Sequence, residues 1–218
     1  MQAATMAPLI TTSFLFALAA ATLTSSLAEA AASSAPPPPC VPPPSAAAFL
    51  RARCATTLYG VACYDSLIPY ACTFQTSHVK LARAAADVNL AFLRGLSKRV
   101  KELAARSTGA GAEAAALRDC ASTVSSAAGL AKQSAAELAK LDAARAAAGR
   151  SEVRWSISNA QTWLSASMTN EATCADGVGV AAGSATSLAA REVVIGVVAA
   201  RERTSVALAL VNGIPVPS

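Results

Sequence analysis

Six cysteines and one histidine are the residues of this 218-residue chain whose chemistry is easiest to foresee. The cysteines do not form the paired CxxC pattern that zinc sites use, and thiols in an oxidising compartment form disulfides instead. Spacing alone leaves their connectivity open, because six cysteines permit many complete pairings. They are Cys40, Cys54, Cys63, Cys72, Cys120 and Cys174.

Catalytic and metal-binding patterns are absent from the sequence. The single histidine, His78, excludes a metal site built from two or three histidines, and its place near a helix start predicts a solvated surface position. The sequence contains no serine elbow, phosphate-binding loop or dinucleotide-binding glycine pattern. Glu152 and Glu171 are too isolated to indicate an acid–base pair. We therefore predict a protein that is not an enzyme and binds no metal or cofactor.

Residues 1–30 predict a secretory signal peptide. An apolar segment runs from Leu9 to Leu18, and Ala28-Glu29-Ala30 provides a small-residue cleavage site. No lysine or arginine precedes the apolar segment, which departs from the usual pattern. The alternative is a plastid transit peptide, but such peptides are rich in arginine and the first arginine here is Arg51. Secretion is the favoured interpretation.

Residues 31–45 predict a stiff, proline-rich linker. Seven prolines between Pro36 and Pro44 cannot pair as a strand or enter a helix interior, so we expect polyproline II conformation. A docking role for this segment is the alternative to a solvated spacer.

With 18 basic and 13 acidic residues, the chain is basic overall.

The remainder, 46–215, predicts an all-helical domain, and the segment 74–215 predicts a four-helix bundle. Apolar residues recur at three- and four-residue steps in four stretches, as amphipathic helices require. Four long helices joined by short turns pack most simply with up-down-up-down topology. The four apolar stripes are Leu81, Ala85, Val88, Phe92, Leu96, Val100 and Leu103; Leu117, Cys120, Val124, Ala127, Ala131, Leu138 and Leu141; Val153, Ile157, Ala160, Leu164, Ser167, Cys174 and Val178; and Leu188, Ile195, Val198, Val206 and Ala209.

Glycines mark the expected ends of these helices. Gly109 and Gly111 predict a turn after the first helix, and Gly149 ends the second. Gly177 and its neighbours Gly179 and Gly183 are expected to loosen the end of the third helix. Ser184 is then expected to cap the fourth.

The segment 46–72 is interrupted by Gly60 and Pro69 and therefore predicts a small helical hairpin rather than a fifth bundle helix. Cys54 and Cys63 fall within it and could cross-link it. Cys120 and Cys174 lie on the inner stripes of the second and third helices, where antiparallel neighbours could bring them together. Cys40 and Cys72 could pair with each other or remain free.

Three sequence motifs together resemble the plant invertase and pectin methylesterase inhibitor family. They are a hairpin segment from Arg53 to Leu67 that reads RCATTLYGVACYDSL, the segment LRDC at 117–120, and the segment TWLSASMTNEATCADG at 162–177. Each motif alone is weak, but all three occur in order over about 46–215. The resemblance implies a four-helix bundle with an N-terminal hairpin, with disulfides Cys54–Cys63 and Cys120–Cys174.

Members of this family are secreted to the plant cell wall and bind a carbohydrate-active enzyme one to one, covering its active-site cleft. Invertase inhibitors of the family carry a Pro-Lys-Phe segment between the second and third bundle helices, and residues 141–150 contain no such triplet. The Trp-Leu-Ser-Ala, Thr-Asn and Thr-Cys sequence is typical of pectin methylesterase inhibitors. The resemblance therefore favours pectin methylesterase as the partner, with acid invertase as the alternative.

The same resemblance indicates which residues contact the enzyme. The threonine before the third-helix cysteine is a family contact position, which is Thr173 here, and Asp176 matches an acidic family position. Asn170 belongs to the same motif. Ser122 and Ser126 stand where some relatives have acidic contact residues.

The charge pattern bears on two further classes of partner, pectin and nucleic acid. A basic cluster on the first bundle helix, formed by Lys98, Arg99, Lys101 and Arg106, could attract polyanionic pectin, although a solvated polar face is the favoured interpretation. The corresponding alternative function is a wall-binding protein without inhibitory activity. Nucleic acid is disfavoured by secretion and by the lack of aromatic residues among these charges. The apolar segment 193–211 is not predicted to span a membrane, because Arg201, Glu202 and Arg203 would lie near the bilayer centre.

Overall fold

The computed structural model describes residues 40–107, 111–144, 147–182 and 187–217, and this part of the chain is all-helical. The predicted signal peptide, most of the predicted linker, Gly109, Gly183 and Ser184 lie outside the described residues. The helices are α1 (Pro44–Cys54), α2 (Gly60–Leu67), α3 (Ala71–Phe74), α4 (His78–Arg106), α5 (Ala112–Ala144), α6 (Arg150–Ala182) and α7 (Leu188–Asn212), with a 3-10 turn at Ile68–Tyr70 between α2 and α3.

The four long helices, α4 to α7, form the predicted four-helix bundle. Helix α5 packs against α4 and α6, and α7 packs against α6 and α4, so α4 and α6 occupy diagonal positions. At least one polar or covalent link joins each neighbouring pair of helices. These links include Arg83 Nη1 to Asp142 Oδ2 at 3.1 Å, the Cys120–Cys174 disulfide, Thr204 Oγ1 to Glu171 Oε1 at 2.8 Å, and Arg99 Nη2 to Glu192 Oε2 at 2.8 Å.

The predicted inner stripes of α5 and α6 are confirmed, because every residue named for these two helices is buried. On α4 the stripe is buried at Leu81, Ala85, Val100 and Leu103, whereas Val88, Phe92 and Leu96 are half-buried at its border. The helices are therefore oriented as their apolar periodicity predicts.

The predicted inner stripe of α7 is wrong at three of its five residues, whereas Val206 is buried as predicted and Ala209 is half-buried. Leu188 and Ile195 are 83% and 68% exposed, and Val198 is 47% exposed. Small residues of another stripe face the core instead: Ala190, Val193, Val197, Ala200, Thr204, Ala207 and Val211. Alanine at the helix interface lets α7 approach closely. A Cβ built on Gly196 would lie 2.7 Å from Leu96 Cδ1 of α4.

The ends of the long helices differ from the glycine-based expectation. Helix α6 continues through Gly177 and Gly179 to Ala182, because the helix supplies its own backbone hydrogen bonds and an isolated glycine costs only about 1 kcal/mol. Ser187 caps α7, since its Oγ accepts a hydrogen bond from the Ala190 backbone N–H at 3.1 Å.

Helices α1 to α3 form the predicted hairpin, with an earlier start than expected. Pro44 occupies the first turn of α1, where proline suits the helix because that N–H has no intrahelical partner. The last two residues of the predicted linker, 44 and 45, are therefore helical. Phe74 and Leu50 are fully buried and anchor the hairpin on the bundle core.

All six cysteines form disulfides. Cys54 pairs with Cys63 inside the hairpin, and Cys120 pairs with Cys174 between α5 and α6, which are the two pairs that the family resemblance implies. Cys40 pairs with Cys72 and ties the segment before α1 to α3. The alternative in which Cys40 and Cys72 remain free does not hold, since no cysteine is unpaired.

Candidate functional site

Thr173 and Asp176 lie on the outer face of α6, next to the disulfide that joins α6 to α5. Both side chains are exposed, and Asn170 one turn earlier is half-buried. Cys174 and Val178 lie on the opposite side of the helix and point to the core. The structure thus brings Thr173 and Asp176 to one solvent-facing surface, with Asn170 at its edge toward α5.

Hydrogen bonds within the helix use the Thr173 hydroxyl hydrogen and one of the two Asn170 amide hydrogens. The Thr173 hydroxyl donates to the Thr169 carbonyl at 2.9 Å, and Asn170 Nδ2 donates to the Ala166 carbonyl at 2.9 Å. The Asp176 carboxylate forms no ion pair with any residue in the described part of the chain. Thr173 and Asp176 therefore present oxygen acceptors, which suit a partner surface that has N–H, O–H or cationic donors.

The Cys120–Cys174 disulfide holds this surface in place. It brings the α5 and α6 backbones to a Cα–Cα distance of 4.4 Å, one residue after Thr173. Ser122 and Ser126 are exposed on the neighbouring helix α5 and extend the polar surface there. A surface on two cross-linked helices loses little conformational entropy when a partner binds.

A buried carboxyl group lies directly behind this surface. Glu171 is fully buried on the inner side of α6. Its Oε1 accepts hydrogen bonds from the hydroxyls of Ser167 at 2.9 Å and Thr204 at 2.8 Å, and Thr204 Oγ1 also lies 3.1 Å from Asn89 Oδ1. Among the described residues, Glu171 Oε2 and Asn89 Nδ2 are buried without a hydrogen-bond partner.

Burial raises the pKa of Glu171 above its ordinary value, and the hydrogen bonds from Thr204 and Ser167 only partly oppose that shift. Sequence reasoning treated Glu171 as an isolated carboxylate and missed its burial. A signal was available, because Glu171 lies between Leu164, Ser167, Cys174 and Val178 on the apolar stripe of α6. A charged residue on such a stripe indicates a buried polar cluster.

His78 is not the solvated surface residue that the sequence predicts. It is half-buried at the first position of α4, and its ring packs edge-on against Phe49 of α1 with 5.0 Å between ring centroids. Arg53 Nη1 lies 3.5 Å from its Nε2. The histidine therefore contributes to hairpin docking, which the sequence pattern could not show because Phe49 and His78 are far apart in the chain.

The rest of the described ranges offers no metal site and no membrane-spanning helix. There, no group of three or more His, Cys, Asp or Glu side chains lies close enough to hold a metal ion. No helix among those residues is both long and apolar enough to cross a bilayer. The depressions are surface features; one of about 250 Å³ lies between the hairpin and α6 and α7, at Leu58, Met168 and Val198.

Fold and site together define a disulfide-linked four-helix bundle with a docked N-terminal hairpin and a rigid, acceptor-rich helix surface. A family model described as plant invertase/pectin methylesterase inhibitor matches residues 48–210. The chain belongs to this family, as its motifs predict.

Curated relatives agree with the family assignment. The chain is 31% identical over 164 residues to pectinesterase inhibitor 10 of Arabidopsis thaliana, which covers 75% of this chain and 50% of that protein. It is 34% identical over 129 residues to pectinesterase inhibitor 11 of the same plant, covering 59% of this chain and 62% of that protein. The chain thus spans about half to three-fifths of the length of these two relatives. A 21 kDa protein of Daucus carota is 34% identical over 172 residues, 75% of this chain and 82% of that protein.

A solved structure shows the same fold. The crystal structure of a mutant form of a pectin methylesterase inhibitor from Arabidopsis superposes with a TM-score of 0.57. It covers 75% of this chain and 95% of that chain at 19% sequence identity. At this identity the comparison supports the helical-bundle fold alone.

Proposed function

We propose that this protein is a secreted inhibitor of pectin methylesterase that binds the enzyme one to one and covers its active-site cleft without doing chemistry itself. The observation that carries the proposal is the exposed surface at Thr173 and Asp176 on α6, held against α5 by the Cys120–Cys174 disulfide. Family membership and the names of the curated relatives support the class of target.

The proposed mechanism is occlusion by a preformed surface. Thr173 and Asp176 present acceptor oxygens, and their helix is braced by a disulfide on its inner side. A cleft that binds a sugar polymer is lined with polar donors, so acceptors at fixed positions can replace the hydroxyl and carboxyl groups of the polymer. A rigid helix surface gains affinity because few groups must be ordered on binding.

The first test is a titration of the purified, oxidised protein against a plant pectin methylesterase and a cell-wall invertase. We expect loss of esterase activity that is complete at one equivalent, with invertase unaffected. Loss of invertase activity alone would identify acid invertase, and not pectin methylesterase, as the target. If neither enzyme responds, occlusion of these targets is wrong.

The residue-level test is Thr173→Trp, which places a large ring where the acceptor surface should meet the enzyme. We expect inhibition to weaken by at least about tenfold, because the ring separates the two surfaces. Thr162→Trp is the matched control. Thr162 is exposed on the same helix, donates its hydroxyl to the Ser158 carbonyl at 2.9 Å as Thr173 does to Thr169, and lies about 16 Å away along the axis. Equal effects of the two variants would remove Thr173 from the contact.

A further inference from the structure

A row of cationic side chains lies on the side of the bundle formed by α4 and α5, away from Thr173. On α4, Arg94, Lys98 and Lys101 are exposed and follow one another at steps of four and three residues. Such steps place side chains on one face of a helix. The three charges therefore form a line along α4.

Helix α5 supplies the second wall. Lys101 Nζ donates a hydrogen bond to Ser125 Oγ at 3.3 Å, so these two positions lie opposite each other across the helix boundary. Arg118 and Lys132 stand seven residues before and after Ser125 and are exposed. A seven-residue step returns to nearly the same face of a helix, so both cations lie on the side of α5 that faces Lys101. Five cations thus border the boundary between α4 and α5 over about 20 Å.

A shallow groove runs between these walls. It has a volume of about 670 Å³, and its lining includes Arg94, Lys98, Lys101 and Ser125 together with the small side chains of Ala105 and Ala128. We call it the α4–α5 groove. Because the alanine side chains are short and the basic side chains are long, the charged groups can converge on a chain laid along the groove.

The cations that line this groove outnumber its carboxylate three to one. Glu102 is the carboxylate among the lining residues, and it lies 3.5 Å from Arg99. In the described ranges, no carboxylate oxygen lies within ion-pair distance of Arg94, Lys98 or Lys101. By contrast, Arg83 near the hairpin pairs with both Asp87 and Asp142. Unpaired cations in a row attract a polyanion.

We propose that the α4–α5 groove binds a linear polyuronate, the carboxylate polymer that remains when a pectin methylesterase removes methyl esters. The choice of polymer rests on the proposed function, whereas the anionic and linear character of the ligand rests on the groove. Carboxylates repeat along such a chain and accept hydrogen bonds from ammonium and guanidinium groups. The methyl-esterified polymer carries no charge at these groups and offers the groove no ion pair.

Other polyanions fit this groove less well. Single-stranded nucleic acid is usually held by aromatic side chains on which its bases stack, and no described lining residue is aromatic. A membrane-surface site combines basic residues with large apolar side chains, whereas the apolar lining here consists of alanines. A carboxylated polysaccharide needs neither feature.

The groove and the proposed enzyme contact are centred on different helices. The groove lies between α4 and α5, and α4 is diagonal to the α6 helix that carries Thr173 and Asp176. Helix α5 borders both sites, with Ser125 in the groove and Ser126 beside the proposed contact. The protein would be retained where de-esterified polymer has accumulated, which is where the esterase has been active.

The test measures binding of the full oxidised protein to polygalacturonate and to the same polymer after methyl esterification. We expect binding to the de-esterified polymer that weakens with added salt, since salt screens exposed charges. The double variant Lys98→Glu/Lys101→Glu should weaken that binding by at least about tenfold. The matched control is Arg150→Glu/Arg154→Glu, which makes the same change in net charge at exposed positions at the start of α6. The control should stay within about twofold of the unchanged protein.

Three outcomes would overturn the proposal: equal loss in the two double variants, equal binding to the esterified polymer, or preferred binding to anionic vesicles or single-stranded nucleic acid. Esterase inhibition by each variant is measured in parallel. Inhibition retained in Lys98→Glu/Lys101→Glu with polymer binding lost supports two separate sites. Polymer binding by a protein that inhibits no esterase would count against the proposed function alone.

Discussion

Glu171 is the residue whose environment makes the sharpest prediction. Burial raises its folded-state pKa, whereas in the unfolded chain the carboxyl group is solvated and has its ordinary pKa of 4.5. Below that pH both states hold the proton and no stability is lost. As the pH rises, the unfolded state releases its proton first, so the free energy of unfolding falls until the folded-state pKa is passed. We expect Glu171→Gln to be more stable than the unchanged protein at pH 7, with a difference that shrinks toward pH about 4.

Chemical denaturation of both proteins across this pH range measures the effect. The amide oxygen of glutamine can still accept the hydroxyls of Ser167 and Thr204, so the variant should fold. Glu152→Gln, at an exposed position on the same helix, is the control and should leave the pH dependence unchanged. A pH dependence that is identical in Glu171→Gln and the unchanged protein would show that the buried carboxyl group does not titrate as described.

Sequence patterns predicted the helices more reliably than they predicted which face of each helix is buried. The stripes of α5 and α6 are right because leucine, valine and cysteine at their inner positions contrast with polar residues outside. On α7 the contrast fails, since Ala190, Ala200 and Ala207 are buried while Leu188 and Ile195 are exposed. Large apolar residues are the ones that a sequence pattern assigns to the buried face, but close packing of α7 against α4 at Gly196 favours small residues there.

Two glycines in the long helices test these packing differences. A Cβ on Gly179 of α6 would meet no atom within 4 Å, whereas a Cβ on Gly196 of α7 would lie 2.7 Å from Leu96 Cδ1. Gly179→Ala should stabilise the protein by about 0.5–1 kcal/mol, because alanine loses less backbone entropy in a helix. Gly196→Ala should gain less or destabilise, because Leu96 must shift. Thermal unfolding of the two variants measures the difference.

A gain for Gly196→Ala equal to that of Gly179→Ala would contradict the close approach of α7 to α4. Leu96→Ala combined with Gly196→Ala provides the internal check. Removing the leucine's outer carbons relieves the predicted clash, so the alanine at 196 should then recover its helix benefit. No recovery would point to a cause other than contact with Leu96.

At the scale of the whole molecule, the sequence predicted the bundle and the hairpin but did not determine every disulfide pair. Spacing left Cys40 and Cys72 open, because their pairing depends on where the chain before α1 lies relative to α3. The sequence predicted the candidate contact residues as a motif around Thr173, whereas their exposure and the disulfide behind them are features of the fold. The buried cluster at Glu171 and the α4–α5 groove bring together residues from different helices, which a linear pattern does not display.

The disulfides allow a prediction about how the bundle supports its proposed function. Cys120–Cys174 closes a separation of 54 residues and Cys54–Cys63 one of 9, and both pairs are buried. In the chain-entropy model the first contributes about 4 kcal/mol and the second about 3 kcal/mol, because the longer loop is more restricted in the unfolded chain. Cys120→Ala/Cys174→Ala should therefore reduce stability more than Cys54→Ala/Cys63→Ala, as measured by denaturant unfolding.

The same two double variants separate stability from function. Cys120 and Cys174 brace the helix surface at Thr173, whereas Cys54 and Cys63 lie in the hairpin near the opposite end of the bundle. At a temperature where both variants remain folded, we expect esterase inhibition to weaken in Cys120→Ala/Cys174→Ala, because α6 is less firmly held against α5 and more must be ordered on binding. Cys54→Ala/Cys63→Ala should inhibit as the unchanged protein does. Equal inhibition by both variants would mean that the packed helices alone fix the contact surface, and that the disulfide next to Thr173 serves stability only.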